Sequence, residues 1–253
     1  MIRMNRAGRA LGLGLALACT GSLALGAESE FSLSTGIEYS SGSYGGTDDI
    51  EELYVPVIGA LYFDRFALSV TVPYLSVRTP SSTSETDPVG STTQSGLGDV
   101  VIGATVFDVF SDYERRIALD ITGKIKIGSA DPDKRLGTGE EDYLLLASFY
   151  KFFEHFTLMG SGGYKVRGDP PGVDLNNTLL GSVGGSFPVS EVARVGIFYD
   201  YREASLQGAD PASEVTVFLT RRMSNTLYLQ FYAFGGFTNS SPDWGGGLYV
   251  SIN

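Results

Sequence analysis

The side chains of this sequence that could do chemistry stand at alternate positions along apolar segments. Residues 116–128 read RIALDITGKIKIG, so isoleucine and leucine recur at every second position, and Asp120, Lys124 and Lys126 stand between them. Alternation of this kind gives a β-strand one apolar face and one charged face. If the apolar face meets lipid, the charged face must turn inward, because a charge facing lipid near the bilayer midplane costs about 2–4 kcal/mol.

Charged and tyrosine side chains occupy the same phase elsewhere, and together they are the candidates to line the lumen of a barrel. They are Glu52, Asp99, Asp120, Lys124, Lys126, Lys165, Arg167, Arg194, Asp200, Arg202, Glu214, Arg222, Tyr228 and Tyr232. Fixed charges around a lumen can steer solutes through it, or they can form salt bridges that fill it. Eight strands enclose packed side chains and sixteen leave an aqueous channel. Twelve strands, the number predicted below, leave both alternatives open.

Catalysis and metal binding find little support in the sequence. His155 is the only histidine, it falls in a predicted turn, and no Gly-x-Ser-x-Gly motif accompanies it. The acidic run at 131–142 does not follow the EF-hand spacing, because Arg135 takes a ligand position and Gly137 comes one residue late. We therefore predict no catalytic residue, no bound metal and no cofactor.

Twelve strands with one apolar and one polar face are predicted along the chain. They cover residues 31–39, 51–63, 66–78, 96–107, 116–128, 142–153, 156–167, 175–187, 193–203, 213–222, 226–238 and 243–253. The connections alternate between tight turns and longer polar loops, of which residues 79–94 are predicted to form the longest. Bacterial outer-membrane barrels share this even strand number and this alternation of periplasmic turns with outer loops. The sequence thus predicts an all-β, transmembrane, antiparallel up-and-down β-barrel with both termini in the periplasm.

The N-terminal segment has a different composition. Arg3, Arg6 and Arg9 precede an apolar run that is shorter than the ~20 residues of a spanning helix, and small residues at 25–27 suit a cleavage site. We predict a secretory signal peptide at 1–27 and a barrel domain at 28–253. Without the segment, 15 basic residues stand against 29 acidic ones, which makes nucleic acid an unfavourable partner.

Short motifs in the centre of the chain carry a resemblance to a known family. They are SGLGD at 95–99, KIK at 124–126, LGTG at 136–139 and DY at 142–143. These motifs resemble those of the outer-membrane transporters of the meta-pathway of phenol degradation, barrels often encoded near genes for aromatic catabolism. The resemblance implies an outer-membrane barrel and leaves the solute open.

The predicted function is that of a cell outer-membrane channel for passive uptake of small molecules, including hydrophobic or aromatic ones. The alternative is a non-conducting barrel with a structural or surface-interaction role. Expected partners are outer-membrane lipid and lipopolysaccharide, the barrel-assembly machinery and a small-molecule solute.

Two opposing hypotheses concern charge selectivity. In the first, basic residues near the outer ends of their strands form an arc that favours anions; they are Lys126, Lys165, Arg167 and Arg202. In the second, nearby carboxylates neutralise the arc; they are Asp99, Asp120, Asp200 and Glu214.

Overall fold

The structure is a computed structural model that describes residues 30–81, 90–134 and 136–253. The predicted signal peptide, residues 1–27, lies outside the described residues, as do Arg135 and most of the connection after the third strand.

Strands account for most of the described chain, and their bounds agree with the predicted ones to within a few residues at most ends. They are β1 (Glu30–Gly42), β2 (Ile50–Tyr62), β3 (Phe66–Ser81), β4 (Gly90–Leu97), β5 (Val100–Asp112), β6 (Ile117–Ile127), β7 (Asp142–Phe152), β8 (Thr157–Val166), β9 (Thr178–Ser190), β10 (Ala193–Arg202), β11 (Ala212–Arg222), β12 (Leu227–Gly236) and β13 (Trp244–Ile252). A single 3-10 turn is described, at Pro132–Lys134. No helix among the described residues is long and apolar enough to span a membrane.

The described strands form one antiparallel sheet that closes on itself. Apart from β4 and β5, each strand pairs with the next strand in sequence, and β1 pairs with β13, where Leu33 stands opposite Ile252. Both β4 and β5 pair with β3: β5 pairs with the first half of β3, and β4 pairs with its second half, toward the loop. They therefore share one strand position in the barrel, and we call each such position a stave. The described residues thus build a closed barrel of twelve staves, which confirms the predicted fold.

The fourth predicted strand is the one whose prediction needs correction. It was expected to begin at about residue 96 after a loop at 79–94, but Arg78 to Ser81 pair with Gly90 to Thr93 and extend the hairpin. Serine and threonine dominate this stretch, and their alternation suits a strand as well as a loop. The stave is interrupted at Gly98 and Asp99, between β4 and β5.

The two ends of the barrel differ, and we name them by their connections. Short turns at 63–65, 113–116, 153–156, 191–192 and 223–226 define the turn end, where β1 begins and β13 also ends. The connections at 43–49, 128–141, 167–177, 203–211 and 237–243, together with that between β3 and β4, define the loop end. The alternation predicted from the sequence is therefore confirmed for the described residues.

The outer face carries an apolar band between two rows of exposed aromatic side chains. The row at the loop end includes Tyr74, Tyr143, Tyr164, Tyr201 and Trp244, and the row at the turn end includes Phe31, Phe66, Phe110, Phe153 and Phe187. Leucine, isoleucine and valine fill the band, for example Leu33, Val70, Ile125, Val183 and Val217. Aromatic rows around an apolar belt are the surface of a barrel that sits in a bilayer.

Candidate functional site: the lumen of the barrel

The fourteen predicted lumen candidates take the inward phase of the barrel. On β6, the inward residues Ala118 and Asp120 are 0% and 2% exposed, whereas Ile125 on the other phase is 42% exposed. The other strand-borne candidates share the phase of the buried residues on their own strands, Arg167 directly follows β8, and Asp99 lies in the break between β4 and β5. The structure thus places these candidates on the same phase as the buried side chains of their strands, or next to those strands.

A buried carboxylate organises the basic residues near the loop end. Asp142, at the start of β7, is 4% exposed. Its Oδ2 lies 2.9 Å from Lys165 Nζ, 3.4 Å from Lys126 Nζ and 3.9 Å from Arg167 Nη1, and its Oδ1 accepts the Gly168 N–H at 3.3 Å. We call Asp142, Lys126, Lys165 and Arg167 the Asp142 cluster. Here the Lys165 amine and the Asp142 carboxylate form both an ion pair and a hydrogen bond.

Asp99 links the Asp142 cluster to the segment that joins β6 to β7. Its Oδ2 lies 3.1 Å from Lys126 Nζ, and its Oδ1 accepts the Ala130 N–H at 2.9 Å. An added Cβ on Gly137 would lie 2.5–2.7 Å from the Asp99 carboxylate, so only glycine fits there. The connection at 128–141, which we call the inner loop, is thus packed on the barrel end. The sequence did not indicate which loop folds inward.

Two further contacts hold the inner loop against the wall. Thr138 Oγ1 accepts a hydrogen bond from Lys126 Nζ at 2.6 Å, and Lys134 Nζ donates to the Ser95 carbonyl of β4 at 3.0 Å. Leu136, which lies between Lys134 and Thr138 in the sequence, is buried. Side chains of the SGLGD, KIK and LGTG motifs therefore meet at one place.

The structure decides in part between the two hypotheses for charge selectivity. Three of the four predicted arc residues, Lys126, Lys165 and Arg167, do converge, and Asp99 neutralises one of them as the second hypothesis expected. The main counter-charge is Asp142, which the sequence analysis placed at the end of the acidic run and the start of a strand, but not among the lumen candidates. Asp120 lies nearer the turn end, where its carboxylate accepts the Asp108 N–H at 2.8 Å.

A second set of inward carboxylates lies on β1, β2, β10 and β11. Asp200 on β10 and Glu214 on β11 stand directly opposite in register. Glu38 on β1, which the sequence analysis missed, lies near enough to Glu52 on β2 and to Glu214 for their charges to interact. We call Glu38, Glu52, Asp200 and Glu214 the acidic wall. Glu38 was not predicted because serine and glycine fill most other inward positions of β1.

The loop between β1 and β2 carries a tyrosine next to the acidic wall. Burial, together with the charges of Glu52 and Glu214, raises the pKa of Tyr44 to about 12. Its hydroxyl is therefore protonated and neutral at pH 7, and it adds no negative charge beside these carboxylates.

Aromatic rings on the inward phase pack against one another inside the barrel, and Phe198, Phe218 and Tyr249 are buried there. The Phe198 and Phe218 rings stack at a centroid distance of 5.9 Å, and the Tyr232 ring lies 5.8 Å from Tyr249 and 6.2 Å from Phe234. We call these five residues the aromatic arc. An added Cβ on Gly184 would lie 2.4 Å from the Phe198 ring, so that ring lies against the wall and glycine makes the room.

The hydroxyl of Tyr232 donates a hydrogen bond to Glu38, which connects the aromatic arc with the acidic wall. Near the turn end, Arg194 Nη2 donates to Ser186 Oγ at 2.8 Å and Thr157 Oγ1 at 3.3 Å. Arg222 is exposed at that end. The predicted candidates therefore form three groups at different places rather than one ring of charges.

His155 lies on the turn between β7 and β8, with its side chain 86% exposed and its Nε2 4.0 Å from Glu154 Oε1. Within the described residues, no three histidine, cysteine or acidic side chains converge in a way that could hold a metal ion.

The sequence matches no protein-family model and no curated protein. Among solved structures, the chain is similar to the COG4313 outer membrane channel from Pseudomonas putida F1, with a TM-score of 0.64, 15% identity, and 90% of this chain and 96% of that chain covered. It is also similar to the KdgM porin, with a TM-score of 0.56, 9% identity, and 88% and 98% of the two chains covered. A second structure of that porin, in complex with disordered oligogalacturonate, matches at the same TM-score. These similarities show that the chain has the fold of outer-membrane barrels.

Proposed function

We propose that the protein is an outer-membrane channel through which small molecules pass by diffusion. The observation that carries the proposal is the contrast between the two faces of one closed barrel. The outer face has an apolar band between aromatic rows, which suits lipid. The inner face carries charged and aromatic side chains on most staves, which suits water and solutes.

An unpaired charge near the loop end supports a hydrated passage in that half of the lumen. In a barrel whose only role is structural, inward charges would be expected in ion pairs, because an unpaired buried charge is costly. The Asp142 cluster follows that rule. Lys124 does not: its side chain points inward, and no ion pair or hydrogen bond joins it to the described residues. A hydrated lumen would stabilise that charge.

The orientation, export and assembly of the barrel belong to the same proposal. Short turns in the periplasm and long loops outside would place both ends of the barrel sheet in the periplasm. Residues 1–27 would direct export and then be removed. The barrel-assembly machinery would insert the chain, and outer-membrane lipid and lipopolysaccharide would surround it.

The proposed solutes are small molecules, including hydrophobic or aromatic ones. Tyr232 and Phe234, the half-buried rings of the aromatic arc, support this class, since flat rings offer faces on which a flat solute can stack. Membership of the phenol meta-pathway transporters is proposed on the same basis and on the motifs around Asp99 and Asp142.

Single-channel recording in planar bilayers tests the proposal. The purified, heat-modifiable barrel should give discrete conductance steps. Ser182 faces inward on β9 and Val183 faces outward, so Ser182→Trp should lower the conductance and Val183→Trp should leave it unchanged. A folded protein with no steps would instead favour the non-conducting structural barrel.

A further inference from the structure

Charges of opposite sign lie on different parts of the lumen wall near the loop end. The acidic wall occupies β1, β2, β10 and β11, which belong to one run of six adjacent staves. Four cations, Lys124, Lys126, Lys165 and Arg167, are carried by β6 and the end of β8, and we call them the basic wall. In the closed order β1 and β8 lie six staves apart, which is half of the circumference.

The two walls share a height because each residue lies near the loop end of its strand. Glu38 is four residues from the end of β1, and Lys124 is three residues from the end of β6; the other six lie closer to the ends of their strands. A solute that enters from the loop end therefore meets both walls together.

The side chains of the two walls can carry charges of opposite sign. Asp99 and Asp142 offset two of the four cations on the basic wall, and Lys124 remains without an ion pair among the described residues. On the acidic wall, Asp200 and Glu214 oppose one another in register. Arg202 lies beside Asp200 and within electrostatic reach of Arg167, at the border between the walls. No salt bridge within the described residues joins one wall to the other.

We propose that this charge separation orients solutes, and that the lumen favours small zwitterions, with an ammonium group toward Glu38 and Glu52 and a carboxylate toward Lys124. The physical reason is that low-dielectric walls focus the field of fixed charges into the space between them. A molecule with separated charges gains on both sides of the lumen, whereas a molecule with one charge gains on one side and loses on the other. The preference rests on the proposed channel function.

Net-neutral double variants separate orientation from ordinary ion selectivity. Glu52→Gln combined with Lys124→Gln removes one charge from each wall and keeps the total charge. The matched control is Glu51→Gln combined with Arg78→Gln, because that pair lies at 3.2 Å on the outer phase of β2 and β3 and is also net neutral. Both proteins are first checked for folding by heat-modifiable migration.

The measurement is uptake into proteoliposomes of 4-aminobutyrate, a zwitterion, and of 4-hydroxybutyramide, an uncharged molecule of similar size. The unaltered protein and the control should take up the zwitterion roughly tenfold faster, the lower end of the enrichment that a charged cleft provides. In the lumen variant the ratio should fall toward one, while the reversal potential in a KCl gradient stays unchanged.

The outcomes distinguish the two proposals. Equal uptake of both solutes by the unaltered protein, or an unchanged ratio in the lumen variant, would overturn the orienting role while the channel function stands. No uptake of either solute and no conductance by any folded variant would overturn both.

Discussion

Replacing Asp142 by asparagine should destabilise the barrel more than any exposed charge change. The carboxylate forms ion pairs with Lys165, Lys126 and Arg167, accepts the Gly168 N–H, and is almost fully buried. Loss of one partner of a buried ion pair costs about 3–5 kcal/mol, because the remaining charges stay unpaired. The side chains of the three cations are 14–24% exposed and keep some hydration, so we expect about 3 kcal/mol.

Equilibrium urea unfolding in lipid vesicles, followed by the fluorescence of the single tryptophan, measures this loss. Glu51→Gln is the control: the Glu51–Arg78 pair is 35% and 56% exposed, and such pairs contribute about 1 kcal/mol or less. A double-mutant cycle of Asp142→Asn with Lys165→Gln should give a coupling energy of about 2 kcal/mol. The proposed role of Asp142 would be refuted if Asp142→Asn cost no more than the control.

Three further predictions concern the wall, the inner loop and selectivity. In single-cysteine variants, Lys124→Cys should react with a membrane-impermeant thiol reagent and Ile125→Cys with a lipid-soluble one; equal labelling of both positions would contradict the register. Gly137→Ala should push the inner loop off Asp99 and cost about 1–3 kcal/mol, with faster tryptic cleavage after Lys134, and unchanged cleavage would mean that the loop does not depend on this contact. Replacing the three cations of the Asp142 cluster with glutamine should shift the reversal potential toward cation preference, because the two buried carboxylates remain; an unchanged potential would remove the cluster from any account of selectivity.

The fold could be predicted because a membrane barrel repeats one simple constraint. Each crossing strand needs apolar residues on one phase, and the other phase is free to hold charge, so β6 with Asp120, Lys124 and Lys126 shows its inward face from sequence alone. The same constraint is weaker beyond the membrane. There the extension of β3 and β4 has serine and threonine on both phases, so it was predicted as a loop.

The sequence predicted which side chains of the candidate site point inward, but not which residues they pair with. Phase indicates that Lys126 and Lys165 point inward, but their common counter-charge depends on register, which places Asp142 opposite Lys126 and next to Lys165. A hint was present in the sequence, because Asp142 is the first inward position of its strand after a polar loop. The role of the inner loop had no comparable signal, since it rests on a fit between Gly137 and the Asp99 carboxylate that forms only in three dimensions.

The position of Asp142 connects stability with the separation of charge in the lumen. Without it, the three cations on β6 and at the end of β8, which flank β7, would repel one another, and the barrel end that holds the inner loop would be weakened. With it, the cations are held on one half of the wall, and the acidic wall on the other half needs no cation from them. The neutralising carboxylate that argues against a simple anion-selective arc is thus the residue that lets opposite charges remain on opposite sides of the lumen.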